Sequence, residues 1–210
     1  MNRIFGLPVY TTSLKNEIYD RKNIYNVIKE NFNKGKIRDK NSEYGNLHHS
    51  LVDWDNPNFL VPDFSSLHPI YNKKIIEYLN NFTFTNGFYR FKYDIINYTC
   101  MESGQSMNDH FHCNCDFVAV HYFKFNPNVH SSTTFINTNS FSKYLANIRP
   151  NLLNILNVNA DENSWLNSER TLNVLEDDIT FSPAILHHKV NEQKKSDDLR
   201  ITIALNITVE

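Results

Sequence analysis

Strict alternation marks the stretch Leu199-Arg200-Ile201-Thr202-Ile203-Ala204-Leu205-Asn206-Ile207-Thr208-Val209. Its odd-numbered positions are all apolar, whereas its even-numbered positions are small or polar and begin with Arg200. Successive side chains of a β-strand point to opposite faces, so this pattern predicts a strand with one core face and one polar face. The strand by itself leaves open whether Arg200 meets solvent or lines a site.

The rest of the chain divides into helical and β-rich parts. Apolar residues recur with helical spacing at 14–32, after a Thr-Thr-Ser start signal, and at 69–82. Segments rich in β-branched and aromatic residues predict strands at 88–99, 116–125, 133–136, 172–175 and 178–181. A helix at 141–158, interrupted at Pro150, would be an insertion between strands. Without repeats or a low-complexity linker, the sequence predicts one α+β domain over residues 1–210, mainly β, built as a sandwich or barrel.

Composition excludes several classes of function. The 210 residues carry a formal net charge of -2, which gives no electrostatic reason to expect nucleic acid or an anionic membrane as the main partner. The amino terminus lacks the apolar run of a signal peptide, and no window reaches membrane-spanning length. Cysteines are odd in number and clustered, as expected for reduced thiols. We therefore expect a cytoplasmic protein with no membrane partner.

A possible metal site lies upstream, in Asp109-His110-Phe111-His112-Cys113-Asn114-Cys115-Asp116. In an extended strand, His110 and His112 share one face with a rise of about 6.6 Å between them, so both rings can turn toward one ion. Hydrogen bonding in a polar turn also explains an isolated pair of this kind. The distant pair His187-His188 offers a third ligand. Three ligands on one side of a metal leave positions open for a substrate and dioxygen.

Four motifs occur in a characteristic order. They are Ile4-Phe5-Gly6-Leu7-Pro8-Val9-Tyr10, His110-Phe111-His112 with His121-Tyr122-Phe123 downstream, Ser182-Pro183-Ala184-Ile185-Leu186-His187-His188-Lys189-Val190, and Leu199-Arg200-Ile201-Thr202-Ile203-Ala204-Leu205-Asn206. In this order and spacing they resemble the 2-oxoglutarate and Fe(II)-dependent oxygenases, and specifically the prolyl-hydroxylase-like oxygenases of phages and marine bacteria. The resemblance covers most of the chain.

The resemblance implies a fold, a reaction and a set of site residues. The fold would be a double-stranded β-helix, or jelly roll, with the N-terminal helices packed on one sheet. The reaction would couple oxidative decarboxylation of 2-oxoglutarate by O2 to hydroxylation of a protein side chain or a small molecule, in the host cytoplasm if the gene belongs to a phage. The implied ligands of Fe(II) are His110, His112 and His188. The implied cosubstrate contacts are Arg200 for the distal carboxylate, Thr202 as a hydroxyl donor, and Tyr122 and Tyr98, which are otherwise core aromatics.

One position departs from the superfamily pattern, which usually has a carboxylate where this chain has His112. A three-histidine site is the interpretation we favour. Asp116 would have to curl back across about 13 Å of extended chain. Asn114 paired with His112 would give a weakened site, and His187 is the alternative to His188. Neutral ligands hold Fe(II) less tightly than a set with a carboxylate, so loss of activity stays open.

Two competing functions remain. Because Cys113 and Cys115 stand beside the histidines, a zinc-binding protein is one alternative. The other is a jelly-roll binding module or virion-associated protein without catalysis.

Overall fold

Two antiparallel sheets form the protein, for which a computed structural model describes residues 2–34, 45–53, 58–85, 87–139, 151, 155–156 and 166–210. Within these ranges the helices whose bounds are defined are α1 (Arg21–Lys34) and α2 (His68–Leu79), with a 3-10 helix at Ser50–Asp53. The first strands are β1 (Asn2–Ile4), β2 (Leu7–Ser13), β3 (Gly45–Asn46), β4 (His48–His49), β5 (Phe91–Met101) and β6 (Ser106–His110). The later strands are β7 (Phe117–Lys124), β8 (Thr133–Ile136), β9 (Glu169–Thr171), β10 (Asp178–Pro183), β11 (His188–Val190) and β12 (Arg200–Val209).

The strand order confirms the predicted jelly roll. The larger sheet has the order β1-β2-β10-β7-β12-β5-β4, and the smaller has the order β3-β6-β11-β8-β9. Sequence neighbours such as β6 and β7 lie in different sheets, so the chain crosses repeatedly between the two layers. This arrangement leaves a space between the sheets, where the inward faces of both contribute side chains.

Both helices pack on the outer face of the larger sheet. Buried side chains from α1 and α2, including Ile28 and Ile75, form one core cluster with the odd-numbered residues of β12. The even-numbered residues of β12 line a cavity on the inner face. The two faces predicted from the alternation are therefore confirmed, as is the packing of N-terminal helices on one sheet. No helix in the described ranges combines the length and apolar character that crossing a bilayer would require.

The first predicted helix is wrong at its beginning. Residues Leu7–Ser13 form β2, which pairs with β10, and α1 begins only at Arg21. Between them the chain turns, with Leu14 fully buried and its N–H donating to Asp177 O at 2.7 Å. Ile18 is 98% exposed, so its helical spacing from Leu14 reflects no shared buried face.

The predicted strands also need correction. The extended strand expected to hold both His110 and His112 is wrong, because it ends at His110 and residues 111–116 form a turn between β6 and β7 that carries the chain from one sheet to the other. The strand expected at 172–175 lies instead at Glu169–Thr171, where it pairs with β8. The strand at 133–136 is confirmed with the same bounds. The helix expected at 141–158 falls outside the described residues, apart from 151 and 155–156.

A polar cluster joins the helices to the larger sheet. The carboxylate of Asp177 accepts hydrogen bonds from Tyr19 Oη and from Arg21 Nη1, each at 2.5 Å. His121 Nε2 lies 3.3 Å from the same carboxylate, and His121 Nδ1 lies 2.8 Å from Tyr71 Oη. This cluster fixes the start of α1 and the first turn of α2 against β7, on the side of the sheet away from the cavity.

Candidate metal and cosubstrate site

Three imidazoles meet at one end of the smaller sheet. His110 ends β6 and pairs directly with His188 at the start of β11. His112 lies in the turn beyond β6, where its N–H donates to Ala184 O at 2.9 Å. One ligand nitrogen from each ring lies within 4.8 Å of the other two. The sequence predicted these three residues together, but His112 reaches the cluster through a turn and not through strand alternation.

Hydrogen bonds orient each ring toward a common point. His110 Nδ1 donates to Asn108 O at 2.9 Å, and His188 Nδ1 donates to Leu186 O at 2.9 Å. Because a backbone carbonyl can only accept, the proton in both rings must lie on Nδ1. His112 Nδ1 lies 3.1 Å from Asn206 Oδ1, which assigns it the same tautomer. All three Nε2 atoms therefore keep a lone pair, the arrangement that metal-binding histidines adopt.

Burial keeps these rings neutral. Desolvation lowers the pKa of His188 to about 3 and that of His112 to about 4, and neighbouring His110 adds to both effects. Desolvation likewise lowers the pKa of His110, against the opposing bond to Asn108. Metal binding requires deprotonated imidazole, so at neutral pH the cluster needs no proton release before a cation binds.

The alternative ligands lie elsewhere. Asp116 Oδ2 accepts a hydrogen bond from Val209 N at 2.8 Å, which holds this carboxylate away from the cluster. His187 Nδ1 pairs with Asp109 at 3.1 Å, and its ring stacks on Phe111. Asn114 lines the cavity but is exposed. Within the part of the chain that the structure describes, the cluster with the geometry to hold a metal ion consists of three histidines, with no carboxylate or cysteine.

A cavity of about 620 Å³ between the sheets connects this cluster to Arg200. The guanidinium is 1% exposed, and its closest polar contacts are Met101 Sδ at 3.7 Å and Thr202 Oγ1 at 3.5 Å. Arg200 Cζ also lies 5.9 Å from the centre of the Tyr122 ring. Among the described residues, Arg200 has no ion pair, and its buried Nε has no hydrogen-bond partner.

This guanidinium is an unusual group to bury. Desolvation lowers the pKa of Arg200 to about 10, so it still carries its charge at neutral pH. A buried charge without a partner is costly, and a carboxylate that enters the cavity would offset that cost through charge-assisted bonds. The hydrogen-bond donors of the Arg200 guanidinium are therefore suited to an anion, whereas the histidine cluster is suited to a cation.

The remaining predicted contacts divide between the two faces of the sheet. Thr202 lines the cavity, where its Oγ1 lies 2.7 Å from Thr99 Oγ1. Tyr122 is fully buried behind Arg200, and its hydroxyl donates to Thr133 Oγ1 at 2.7 Å. Tyr98 is the exception, because it pairs with Ile203 and so faces the helices, where it accepts from Asn31 Nδ2 at 2.9 Å. Its prediction as a cosubstrate contact is corrected by this position.

Sequence reasoning missed two residues at the site. Asn206 was visible on the polar face of β12, but only the turn that brings His112 beside it shows its contact. His49, on β4, is buried and lines the cavity. Burial and the nearby His110 lower its pKa to about 4. The sequence signal for it was the pair His48-His49, which has no spacing typical of a metal site.

Comparison with solved structures supports the fold. The epimerase SnoN from nogalamycin biosynthesis, described as non-heme and alpha-ketoglutarate dependent, matches with a TM-score of 0.57 and 12% identity over 96% of this chain and 76% of its own. A prolyl-4-hydroxylase from Pseudomonas putida matches with a TM-score of 0.53 and 8% identity over 96% of this chain and 92% of its own. A viral collagen prolyl hydroxylase from Paramecium bursaria Chlorella virus-1, solved with 2-oxoglutarate, matches with a TM-score of 0.52 and 13% identity over 95% of this chain and 94% of its own.

These likenesses confirm the predicted resemblance at the level of the fold. The chain shares its jelly-roll fold with these three proteins along nearly its whole length. Its sequence matches no family profile and no curated protein. The narrower assignment to phage and marine-bacterial enzymes stays a prediction.

Proposed function

We propose that this protein is a 2-oxoglutarate- and Fe(II)-dependent oxygenase that hydroxylates a substrate entering the cavity between the sheets. One observation carries the proposal. The cavity that three neutral histidines border also contains a buried, charged guanidinium without a counter-ion among the described residues. A molecule that chelates a metal at one end and carries a carboxylate at the other would bind a cation held by the histidines and the guanidinium of Arg200 at the same time.

The residues present fit both groups. His110, His112 and His188 would hold the metal through Nε2, because their Nδ1 atoms are engaged elsewhere. Arg200 would bind the distal carboxylate, with the Thr202 hydroxyl as a second donor. When bound, iron and 2-oxoglutarate supply the oxidation, in which O2 converts the cosubstrate to succinate and CO2 and places a hydroxyl group on the substrate.

The chain itself binds, orients and shields. Asn206 holds the His112 ring, and the backbone carbonyls of Asn108 and Leu186 hold the other two. Oriented ligands keep the metal in one geometry without reorganisation during turnover. The apolar side chains Val118 and Val190 line the cavity and exclude water around the reacting groups. This reaction requires no side chain to transfer a proton, so His49 and Asp94, which also line the cavity, need no role as a base.

A protein side chain is the substrate class we favour. Support comes from two of the structural matches, which are described as a collagen prolyl hydroxylase and a prolyl-4-hydroxylase. The cavity is also open enough to admit a side chain between the sheets, with a volume of about 620 Å³.

Binding measurements on two variants test the proposal. His188→Asn should abolish stoichiometric binding of Mn(II) in calorimetry, because it removes one of three nitrogen ligands. Arg200→Met keeps the length of the side chain but removes the charge, and we expect the affinity for 2-oxoglutarate in the presence of Mn(II) to fall by at least about 30-fold. Arg90→Ala, an exposed arginine next to β5, is the matched control and should bind as the wild type does.

Activity provides the second readout. With Fe(II), 2-oxoglutarate and O2, the wild type should form succinate, and anaerobic addition of the first two should give a weak visible absorption band. Unchanged metal binding in His188→Asn would contradict the ligand set. Unchanged 2-oxoglutarate affinity in Arg200→Met would contradict the anchor.

A zinc site is the second candidate, and the donor set favours it. Three histidines without a carboxylate form the ligand set of a catalytic zinc in carbonic anhydrase. Under this alternative the cysteines have no part, since Cys113 and Cys115 lie outside the cluster. A zinc protein would bind Zn(II) without change on addition of 2-oxoglutarate and would give no absorption band, which separates the two candidates.

A further inference from the structure

The larger sheet has an open edge beside the metal cavity. β4 pairs only with Thr99 and Cys100 of β5, and the next outward-facing amide, Tyr98 N, donates to Ser50 Oγ at 2.9 Å. Below this point, residues 91–97 of β5 have no neighbouring strand on that side in the described part of the chain. Exposed strand edges are normally covered or interrupted, because they present unpaired donors and acceptors.

The register identifies which backbone groups point outward. Arg90 N donates to Glu210 O, so residue 90 faces β12. In an antiparallel ladder the orientation alternates, which turns the N–H and C=O groups of Phe91, Tyr93 and Ile95 toward the open edge. The register then shifts between Ala204 and Leu205, and the extra residue in β5 is Ile96. This β-bulge bends the edge beside the cavity.

Two cavities meet at this bulge. Ile95, Ile96 and Asn97 line both the metal cavity on the inner face and a second cavity of about 380 Å³ on the helix side. The second cavity is mainly apolar, with Phe59 and Val61 in its wall, and Val61 is 81% exposed. The open edge of β5 thus runs between the metal cavity, where the proposed reaction would take place, and a second cavity that suits an apolar side chain.

We propose that an extended peptide binds as an additional strand along residues 91–97 of β5, with one side chain in the metal cavity and an adjacent one in the apolar cavity. Side chains of a strand alternate between its two faces, so a strand paired with β5 would place successive residues in the two cavities. Main-chain hydrogen bonds to Tyr93 and Ile95 would supply affinity, and the apolar cavity would supply specificity.

This inference rests on the proposed function and names the substrate class. The substrate is a flexible or extended polypeptide segment in which the residue to be hydroxylated is followed or preceded by a large apolar residue. A small-molecule substrate would use the metal cavity alone and would leave the edge and the second cavity without a role. The continuity of both cavities through the same three residues favours the peptide.

The test begins with a phage-displayed library of random nonapeptides, selected on the protein with Mn(II) and 2-oxoglutarate, which allow binding without turnover. We expect enriched sequences to share an apolar residue next to a common position. In hydrogen exchange, a synthetic peptide of the enriched sequence should protect the amides of Tyr93 and Ile95.

Two matched pairs of variants locate the binding site. Ile95→Pro removes one outward N–H without disturbing the ladder with β12, and it should weaken peptide binding about fivefold relative to Ile95→Ala, which retains that N–H. Val61→Asp places a charge in the apolar cavity and should weaken binding about tenfold. Ile18→Asp changes an equally exposed apolar residue outside the cavity and should have no effect.

Several results would overturn the inference. The first is a peptide selection that enriches no sequence, and the second is an enriched peptide that leaves the amides of Tyr93 and Ile95 unprotected in hydrogen exchange. The third is a dimer in sedimentation that Val61→Asp dissociates, because a second copy of the chain would then occupy the edge. Succinate formation without peptide binding would refute this inference alone. Peptide binding at β5 without binding of 2-oxoglutarate would refute the proposed reaction and leave the peptide site standing.

Discussion

Acid should destabilise the metal-free protein through His188. Burial lowers the pKa of this imidazole from 6.5 to about 3, so in the folded state it stays neutral across the range in which the unfolded chain becomes protonated. The unfolded state binds more protons in that window, and the free energy of unfolding therefore falls as the pH drops below about 6.5. Above that pH the contribution of neutral His188 to the free energy of unfolding is fully present. Below it the contribution is lost until the pH reaches about 3, the pKa of His188 in the folded state.

The magnitude follows from the two pKa values. Going from pH 8 to pH 5, protonation of an unfolded histidine with a pKa of 6.5 contributes RT ln(1 + 10^1.5), or about 2 kcal/mol, while His188 in the folded state gains almost no proton. For His188→Asn, which can still donate to Leu186 O, this contribution disappears. We expect the pH 8 to pH 5 loss in the variant to be smaller than in the wild type by about 2 kcal/mol.

Urea unfolding in the presence of a chelator, at pH 8 and pH 5, measures this difference. His187→Gln is the matched control, because His187 is adjacent in sequence but pairs with Asp109 outside the cluster. It should lose stability with acid as the wild type does. If His188→Asn and the wild type lose the same stability between the two pH values, His188 is not a buried neutral imidazole and the ligand geometry is wrong.

Three further outcomes are expected. Asn206→Leu should lower Mn(II) affinity by about 10- to 100-fold through loss of the bond that orients His112, and Asn206→Asp, which keeps an acceptor, should restore most of it in calorimetry. Asp116→Ala should leave metal stoichiometry unchanged, and loss of the metal would restore Asp116 as a ligand. Tyr98→Phe should cost about 1 kcal/mol in urea unfolding through the lost bond from Asn31, with unchanged affinity for 2-oxoglutarate.

Strand periodicity predicted which residues line the site better than it predicted where the helices and strands begin and end. The alternation in β12 separated core from cavity residue by residue, because a strand offers only two faces and a single register satisfies both. Arg200 and Thr202 were therefore placed on the correct face. The same rule applied to Tyr98 would have required the position of the bulge at Ile96, which depends on pairing with β12 and leaves no local signal in the sequence.

Long-range turns account for most other differences. His112 joins the histidine cluster because its backbone binds Ala184, far along the chain, and not because of its spacing from His110. The predicted first helix begins at Arg21 instead of residue 14 for a similar reason, since β2 pairs with β10 and the buried Leu14 that follows β2 donates to Asp177 O. Local propensity cannot anticipate a partner strand supplied from a distant part of the chain.

The two faces of β12 also separate the routes by which this protein can change. Substitutions at the odd positions act on a core shared with both helices, and the fold limits what replaces Ile203 or Leu205. A substitution at Ala204 reshapes the cavity and leaves that core in place, whereas Arg200, Thr202 and Asn206 on the same side are held to their proposed roles in binding. Selection for a new substrate can therefore act at Ala204 without a cost to the core, and libraries for engineered specificity can begin at that position.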